Sequence, residues 1–398
     1  MFGIQTFQRT LGVAARIACD IPALERKFKI RERVSGPFPE GPCVWMHGAS
    51  LGECKMLLSL FPFLKKDVPE MPPVVLTTQK AEVLDFLKTK EKNLGIQTCM
   101  APLDTPRSMS VFVKCAKPAM LILAENELWP GYLNAMRKIS KTPKVALVSG
   151  RFRRCADTRN FDAIGFASMQ TGSDSTRFVS AGDYLLSHKT IVGGNWKLLS
   201  WAKSGVKIAC PKNPTVDVAF LSFHWEERKP LLKMLDSTAN QGKVAVFAPR
   251  YADDLEKFES CFVQNKLKLV TWPEIKPGCV SVVEGYGKLS EVLAESKTSV
   301  IGGSFSRTLG VHDFWESLEM GVTTCIGPYS RGQRTAVSAL LRDGALIQIT
   351  SPEKFGKSLS LNPEAAEDFL CREREKVVSS YNAFVEYVRR TLNLEIFR

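Results

Sequence analysis

Short apolar runs alternate with longer amphipathic stretches along the first half of the chain. Apolar residues recur with helical spacing at Leu51–Lys65, Ala81–Lys90 and Leu128–Ile139. The apolar runs predict strands at Val44–His47, Val74–Thr77, Gln97–Ala101, Met120–Ala124, Val145–Ser149 and Thr190–Gly193. Strands that are separated by helices pair in parallel, as in βαβ units. The first half therefore predicts an α/β domain with a parallel sheet.

The same alternation restarts after residues 206–214, which read VKIACPKNP and lack periodicity. The later strands are predicted at Val216–Ser222, Val244–Ala248, Leu267–Thr271, Val280–Val283, Val300–Gly302, Thr323–Gly327 and Ala345–Ile349. Helical patterns between them lie at Glu226–Leu235, Asp254–Asn265, Leu289–Glu295 and Arg334–Arg342. A chain of 398 residues is long enough for two domains. We therefore expect domains over 1–205 and 215–398, joined by a linker over 206–214, with a helical tail at Glu364–Leu394 that packs across their interface.

Charge and cysteine usage narrow the class of protein. The formal net charge of +13 favours nucleic acid, an anionic membrane or a phosphorylated substrate as partner. The 11 cysteines are scattered and form no C-x-x-C pair. This spacing is typical of reduced thiols, and it predicts neither a disulfide framework nor a metal site.

The N-terminal stretch is amphipathic and is followed by a basic cluster at residues 26–33. Arg9 and Arg16 interrupt its apolar residues, and no run of the chain reaches the roughly 20 apolar residues that a spanning helix needs. The pattern favours a helix that lies on an anionic membrane surface. The alternative is an ordinary solvent-facing helix that covers the first domain.

A glycine turn separates two apolar runs within Ser299–Pro328. Gly302-Gly303-Ser304 follows the first run, and a helical segment begins at about Asp313. Glycines at the end of a strand let backbone N–H groups approach a phosphate, and Glu316 in the helix is placed to hold ribose hydroxyls. The turn is neither a Walker loop nor a G-x-G-x-x-G fingerprint. It predicts a nucleotide-linked substrate rather than an ATPase or a dehydrogenase.

Carboxylates follow two of the predicted strands in the first half. Glu53 lies in the third position of a helix that begins after Ser50, so it is either a general base or the partner in a capping box. Glu125 and Glu127 follow the strand at Met120–Ala124. Because ligands bind at the carboxyl edge of a parallel sheet, both are candidate ligands or catalysts, unless one caps the next helix.

Cationic and imidazole side chains follow other strands. Lys197 ends a glycine turn and Arg250 follows the strand at Val244–Ala248; each is a candidate phosphate contact or a solvated surface residue. The turn Gly285-Tyr286-Gly287-Lys288 precedes a helix; its N–H groups bind an anion or a base edge, or it is a plain turn. Three of the four histidines, His47, His224 and His312, adjoin strand ends.

The order of these motifs resembles the 3-deoxy-D-manno-octulosonic acid (Kdo) transferases of lipopolysaccharide synthesis. The motifs, collinear from about residue 40 to 345, are WMHGASLGE at 45–53, AENELWPG at 124–131, SGR at 149–151, GNWK at 194–197, APR at 248–250, GYGK at 285–288 and GGS…GVHDFWES at 302–317. The resemblance implies an α/β glycosyltransferase fold of the GT-B type, with two Rossmann-like domains facing a central cleft. The first domain would bind the acceptor and the second the nucleotide sugar.

The resemblance also implies roles for individual residues. It makes Glu53 the catalytic base, and it gives catalytic roles to Glu125, Glu127 and Lys197. The implied nucleotide contacts are Pro249, Arg250, Tyr286, Gly287, Lys288, Gly303, Ser304, His312, Asp313, Phe314, Trp315 and Glu316. The implied substrate contacts are Ser50, Arg151, Asn195, Ser222 and His224. Arg151 is the candidate for the donor's carboxylate, and Glu125 or Glu127 would stabilise the positive centre or orient Lys197.

The sequence departs from the family pattern around the nucleotide. Val311 replaces a glycine, Asp313 an asparagine and Phe314 a proline, and Trp225 replaces the glutamate after His224.

We expect an inverting transfer of Kdo from CMP-Kdo to a lipid A precursor, lipid IVA. A single displacement would need no metal and no other cofactor. The protein would sit peripherally at the cytoplasmic face of the bacterial inner membrane and would not bind nucleic acid. The alternatives are a GT-B enzyme for another nucleotide sugar and a basic nucleic-acid-binding protein.

Overall fold

The computed structural model describes residues 21–152, 158–182, 184–204, 211–285, 287–331, 333–352, 355 and 363–393. The chain divides into two compact units, Met1–Ser204 with Glu373–Arg398 and Gly205–Arg372. Each unit has its own parallel sheet and its own apolar core. The expected α/β architecture with two Rossmann-like domains is confirmed.

The first sheet has seven parallel strands. They are β1 (Cys43–His47), β2 (Val74–Thr78), β3 (Gln97–Met100), β4 (Pro118–Ala124), β5 (Val145–Gly150), β6 (Ile164–Met169) and β7 (Thr190–Val192). Their order is β3-β2-β1-β4-β5-β6-β7, so the direction in which strands are added reverses between β1 and β4. β1 and β4 are almost fully buried, as expected when helices cover both faces of a sheet.

Helices connect and flank these strands. They are α1 (Pro22–Phe28), α2 (Ile30–Ser35), α3 (Leu51–Asp67), α4 (Ala81–Leu94), α5 (Pro106–Ala116), α6 (Pro130–Ile139), α7 (Gly172–Ala181) and α8 (Leu199–Ser204), with short 3₁₀ turns at Phe161–Ala163, Tyr184–Lys189 and Trp196–Leu198. Trp45 on β1 fills the core between Phe112 of α5 and Tyr132 of α6.

The second sheet also has seven parallel strands. They are β8 (Val216–Phe223), β9 (Ala245–Pro249), β10 (Lys268–Thr271), β11 (Cys279–Val282), β12 (Ser296–Ile301), β13 (Thr323–Ile326) and β14 (Ile347–Gln348). The helices of this unit are α9 (Arg228–Asn240), α10 (Leu255–Gln264), α11 (Leu289–Ala294), α12 (Trp315–Glu319) and α13 (Arg334–Arg342), with 3₁₀ turns at Trp225–Glu227 and Ala252–Asp254. The order β10-β11-β9-β8-β12-β13-β14 reverses direction between β8 and β12.

The last helix, α14 (Pro363–Thr391), corrects the domain boundary that the sequence predicts. Residues from Glu373 onward belong to the first unit, not to the domain assigned to 215–398. The reason is the aromatic face of this part of the helix. Phe384 packs on Trp196, and the hydroxyl of Tyr381 donates to Asp67 Oδ2 at 2.7 Å.

Strand β6 was not predicted from the sequence. Gly165 and Ser168 interrupt its apolar run, yet the strand is almost wholly buried. Tyr387 of α14 leaves no room for a Cβ at Gly165, and the indole of Trp196 donates to Ser168 Oγ at 3.1 Å. Contacts with residues distant in the sequence therefore stabilise β6, although its own sequence lacks a continuous apolar run.

Candidate functional sites

Polar residues gather at the same place in each sheet. In the first unit they follow β1 and β4, and in the second they follow β8, β9 and β12. These are the carboxyl ends of strands next to the point where the strand order reverses, which is where open α/β sheets bind ligands. Each unit therefore has one candidate site, and each is described by itself.

Glu53 forms the capping box that the sequence offers as the alternative to a base. Its Oε2 accepts the backbone N–H of Ser50 at 2.8 Å, and its own N–H donates to Ser50 Oγ at 3.4 Å. Burial, with the charges of Glu127 and Glu125, nevertheless raises the pKa of Glu53 to about 7. Capping uses one carboxylate oxygen, so the cap and a base function are compatible.

Glu127 is held as a carboxylate by two neighbours. Its Oε2 accepts the indole N–H of Trp129 at 2.6 Å and lies 3.4 Å from Nε2 of His47, close enough for an ion pair but without hydrogen-bond alignment. Burial alone would raise the pKa of Glu127, but His47 and Trp129 outweigh burial and lower it. His47 is fully buried, and its Nδ1 lies 2.9 Å from Thr77 Oγ1.

Glu125 joins the two cations of this site. Its Oε2 accepts a hydrogen bond from Arg151 at 3.1 Å, and its Oε1 lies 3.4 Å from Lys197 Nζ. Glu125 has a φ of +49°, which a non-glycine residue rarely adopts, immediately after β4. Such strain is typical of functional positions, where surrounding contacts hold the backbone in place.

Ser149 and Asn195 shape the turn that carries Lys197. Ser149, at φ +54°, accepts the backbone N–H of Trp196 with its hydroxyl at 3.1 Å. Asn195 is buried, and its Oδ1 accepts the N–H of Lys197 at 3.1 Å. The structure thus brings together the predicted residues Ser50, Glu53, Glu125, Glu127, Arg151, Asn195 and Lys197 at one edge of the first sheet.

The second site begins with a strained residue at the end of β8. Ser222 has a φ of +59°, where the pairing of β8 with β9 shifts register. The backbone N–H of Arg250, just after Pro249 at the end of β9, donates to Phe223 O at 2.9 Å. This bond fixes the start of an exposed arginine side chain beside β8.

His224 and His312 lie against each other. Their Nε2 atoms are 2.6 Å apart, and their ring centroids are 4.8 Å apart with 27° between the ring planes, so the two rings meet edge to edge through Nε2. Burial and the charge of Arg250 lower the pKa of His312 to about 3, and burial also lowers that of His224. Both rings are therefore neutral at pH 7.

Glu227 is a central residue of this site that the sequence did not predict. Its carboxylate accepts the backbone N–H groups of His224 at 3.0 Å, Gly303 at 2.7 Å and Phe305 at 2.9 Å. The expected phosphate contact by the N–H of Gly303 is therefore not available in this structure, because Glu227 accepts that N–H. The capping pattern His224-x-x-Glu227 was the signal that could have found it.

Three other predicted nucleotide contacts are buried in the core. Ser304 is fully buried, and its hydroxyl donates to Ile301 O at 2.5 Å and accepts the N–H of Gly327 at 2.7 Å. Phe314 and Trp315 are also buried, and Trp315 stacks on Phe369. These side chains stabilise the turn and do not face a ligand, which corrects the sequence-based assignment.

The remaining predicted contacts keep exposed positions. Asp313 and Glu316 are exposed; Asp313 Oδ1 accepts the N–H of Trp315 at 3.1 Å, and Glu316 Oε1 accepts the hydroxyl of Ser290 at 2.5 Å. Gly287, at φ +88°, is exposed, and the half-buried Lys288 precedes α11. Tyr286 lies outside the described residues.

Among the residues that the structure describes, no group of three or more His, Cys, Asp or Glu side chains is arranged to hold a metal ion.

Comparison with known proteins identifies relatives of the chain. Residues 23–197 match the family model described as 3-deoxy-D-manno-octulosonic-acid transferase (kdotransferase). A 3-deoxy-D-manno-octulosonic acid transferase of Aquifex aeolicus is 24% identical over 357 residues, which cover 88% of this chain and 93% of that protein. A transferase of the same name from Chlamydia pneumoniae is 24% identical over 358 residues, covering 83% and 80%.

Solved structures show the fold. A glycosyltransferase of Rickettsia africae superposes with a TM-score of 0.55 at 9% identity, over 89% of this chain and 99% of that chain. A Staphylococcus aureus protein, MnaA, solved with UDP gives a TM-score of 0.53 at 12% identity, over 89% and 98%. These similarities place the chain in the GT-B class of folds.

Proposed function

We propose that the chain is a glycosyltransferase of the 3-deoxy-D-manno-octulosonic acid transferase family, and that it transfers Kdo from CMP-Kdo to the lipid A precursor lipid IVA. The family match and the named relatives support Kdo as the transferred sugar. The reaction would be a single displacement with inversion at the anomeric carbon.

The main support for this proposal is the position of Glu53 together with its raised pKa. It lies at the carboxyl edge of the first sheet, and its pKa is about 7. A general base is most efficient when its pKa lies near the working pH. In our proposal, Glu53 accepts the proton of the attacking sugar hydroxyl as that oxygen bonds to the anomeric carbon.

Each unit supplies cations that would balance anionic groups of a substrate. Arg151 and Lys197 share Glu125, which fixes their side chains in the first unit. We assign Arg151 and Lys197 to anionic groups of the substrates that the first unit binds, and Arg250, in the second unit, to the CMP phosphate. Preorganised cations stabilise a leaving phosphate without further rearrangement. We propose that no metal takes part, which predicts full activity in excess EDTA.

We further propose that the protein binds peripherally to the cytoplasmic face of a bacterial inner membrane. Helix α1 has no buried residue, and Ile21 and Phe28 at its ends are 43% and 41% exposed. Arg33 of the predicted basic cluster points inward, since its Nε donates to Ala101 O at 3.0 Å. Residues 1–20 lie outside the described part of the chain. None of the described helices has the length and apolar character needed to cross a bilayer.

The proposal is tested by incubating the protein with CMP-Kdo and tetra-acylated lipid A precursor, with the product read by mass spectrometry. Glu53→Gln keeps an oxygen for the cap but cannot take a proton. We expect its turnover to fall by a factor on the order of 10²–10⁴, with little change in melting temperature.

A matched control separates catalysis from capping. Thr171 caps α7 by accepting the N–H of Asp174 at 3.1 Å, and it follows β6, which lies two strands from β4 in the sheet. Thr171→Ala should lower stability by about 1 kcal/mol without changing turnover. If Glu53→Gln instead behaves like Thr171→Ala, Glu53 is only a cap.

A further inference from the structure

The two histidines of the second unit form a pair that holds a proton between them. With Nε2 atoms 2.6 Å apart, one ring must donate an N–H and the other must accept it. Two rings that both presented a lone pair, or both a proton, would repel at this distance. The pair in its neutral state therefore has one Nε2–H group and one Nε2 lone pair facing each other.

Such a pair can take up one further proton without losing its hydrogen bond. The ring that donates through Nε2 has an unprotonated Nδ1, and protonation there makes it an imidazolium. Its Nε2–H then donates to the neutral partner as a charge-assisted bond, which is stronger than the neutral one. If two protons were added, both Nε2 atoms would carry a hydrogen and neither could accept the bond. The pair therefore takes up one proton at most.

Backbone hydrogen bonds fix the two segments that carry the rings. Glu227 binds the N–H groups of His224 and Gly303, and the N–H of His312 donates to Gly302 O at 3.2 Å. A Cβ at Gly303 would lie 2.9 Å from His312 Nε2, so the glycine turn closes directly over this ring. The pair is a fixed part of the turn.

Burial is the main cause that keeps the pair neutral when no anion is bound, and the charge of Arg250 adds to it. Arg250 acts on both rings and disfavours protonation of each, whereas Glu226 and Asp254 favour protonation of His224. The ring of Tyr251 meets His224 edge-on, Asp313 follows His312 in the chain, and Gln333 donates to His312 O. A bound phosphate would offset the charge of Arg250, and its own negative charge would favour an imidazolium beside it.

We propose that the His224–His312 pair takes up one proton from solvent when the phosphate of the nucleotide binds at Arg250. This inference rests on the proposed function, because it assumes that CMP-Kdo binds to the second unit. The proton supplies a second positive charge beside the phosphate. Nucleotide binding then becomes linked to pH through side chains of the binding turn.

Calorimetric titration of the full chain with CMP tests the proposal. Titrations at pH 7.5 in buffers with different ionisation enthalpies give the number of protons taken up. A phosphate monoester has its second pKa near 6, so free CMP is already a dianion at this pH. We expect uptake approaching one proton per CMP, and a Kd that rises by up to about tenfold per pH unit between pH 7 and 8. Cytidine, which lacks the phosphate, should bind without uptake.

Variants identify the proton acceptor. His312→Asn should bind CMP with little or no proton uptake, and His188→Asn, which removes an exposed histidine of the first unit, should behave like the parent protein. Parent-like uptake in His312→Asn would overturn the proposal. CMP binding without uptake in the parent protein would overturn it while leaving the proposed function intact, whereas absence of CMP binding would overturn both.

The parent protein alone gives a second readout that does not depend on variants folding. With only 4 histidines, ¹⁵N-histidine labelling yields four ring spin systems whose nitrogen shifts report protonation. At pH 7.5 we expect one ring to change from neutral to imidazolium when CMP saturates the protein. If every ring that is neutral in the free protein stays neutral, the pair does not take up the proton.

Discussion

Three glutamates of the first unit have different neighbours, and we infer a different role for each. Glu125 bridges Arg151 and Lys197, and its charge makes a smaller contribution than that of Glu127 to the raised pKa of Glu53. Glu127 stays ionised beside His47 and Trp129, and its charge helps to raise the pKa of Glu53. Neighbouring carboxylates with pKa values driven apart are a common arrangement for acid–base chemistry. In our reading Glu127 tunes the base, while Glu125 positions the cations.

We predict that Glu127→Gln changes the pH dependence of turnover. Removing the negative charge next to Glu53 lowers the pKa of Glu53, so the acidic limb of the pH–rate profile should move down by about one pH unit. Glu70→Gln removes an exposed carboxylate elsewhere in the unit and should leave the profile unchanged. An acidic limb that stays in place in Glu127→Gln would show that the charge of Glu127 does not act on the base.

Arg250 provides the matching prediction in the second unit. Arg250→Ala should weaken CMP binding by about 1.5–3 kcal/mol, the range for a hydrogen bond to a charged group, as measured by calorimetry. Arg342→Ala removes an exposed arginine of the same unit and serves as the control. UDP should bind the parent protein more weakly than CMP. Unchanged CMP affinity in Arg250→Ala would place the phosphate elsewhere.

At the scale of elements, helix α14 supports the turn that carries Lys197. Trp196 is fully buried, and its indole N–H is shared between Ser168 and Ser380. Ser380 lies within hydrogen-bond distance of Gly193 O, and a Cβ at Gly193 would lie 2.4 Å from the Cβ of Ser380. The helix therefore packs directly on the backbone that precedes Lys197.

We predict that Ser380→Ala affects both stability and turnover. Loss of the hydroxyl removes a partner of buried polar groups and should cost about 1–3 kcal/mol of unfolding free energy. Because the turn before Lys197 loosens, turnover per folded molecule should fall while the KM for the acceptor changes little. The neighbouring exposed Ser379→Ala should change neither quantity. A loss of stability alone would limit Ser380 to a structural role.

The sequence predicted elements best where an apolar run could be read directly. All seven strands of the second sheet were predicted, because each has such a run. Strand β6 was missed because Gly165 and Ser168 are placed by Tyr387 and Trp196, which are distant in sequence. Helices α5 and α7 were missed as well, although Thr105 and Thr171 cap them.

The candidate sites were predictable in position but only partly in side-chain role. Motifs at strand ends placed Glu53, Glu125 and Arg250 at the carboxyl ends of strands, and the structure has them there because parallel strands bring those ends to one edge. They could not distinguish side chains that face a ligand from those that face the core. Trp315 and Ser304 are buried by contacts that no local pattern encodes.

For the whole molecule, net charge and the N-terminal helices predict behaviour at a membrane. Binding to vesicles should require anionic lipid and weaken in high salt, because each basic residue near such a surface contributes about 1 kcal/mol and salt screens it. Lys27→Gln in α1 should reduce sedimentation with vesicles, whereas Lys276→Gln, which changes an exposed lysine of the second unit, should not.

Deleting residues 1–20 should reduce sedimentation further yet preserve activity on detergent-dispersed acceptor. Retention in the pellet after alkaline carbonate extraction would contradict peripheral binding.

The position of α14 also has a consequence for synthesis of the protein. The first unit needs this helix to cover Trp196 and Phe166, yet roughly 160 residues separate Ser204, the end of α8, from its beginning at Pro363. At the usual 5–20 residues per second, a ribosome takes on the order of 8–30 s to make that segment. During this interval the nascent first unit presents an uncovered aromatic surface, so we expect its yield of folded protein to depend on chaperones or on rapid elongation until the last helix emerges.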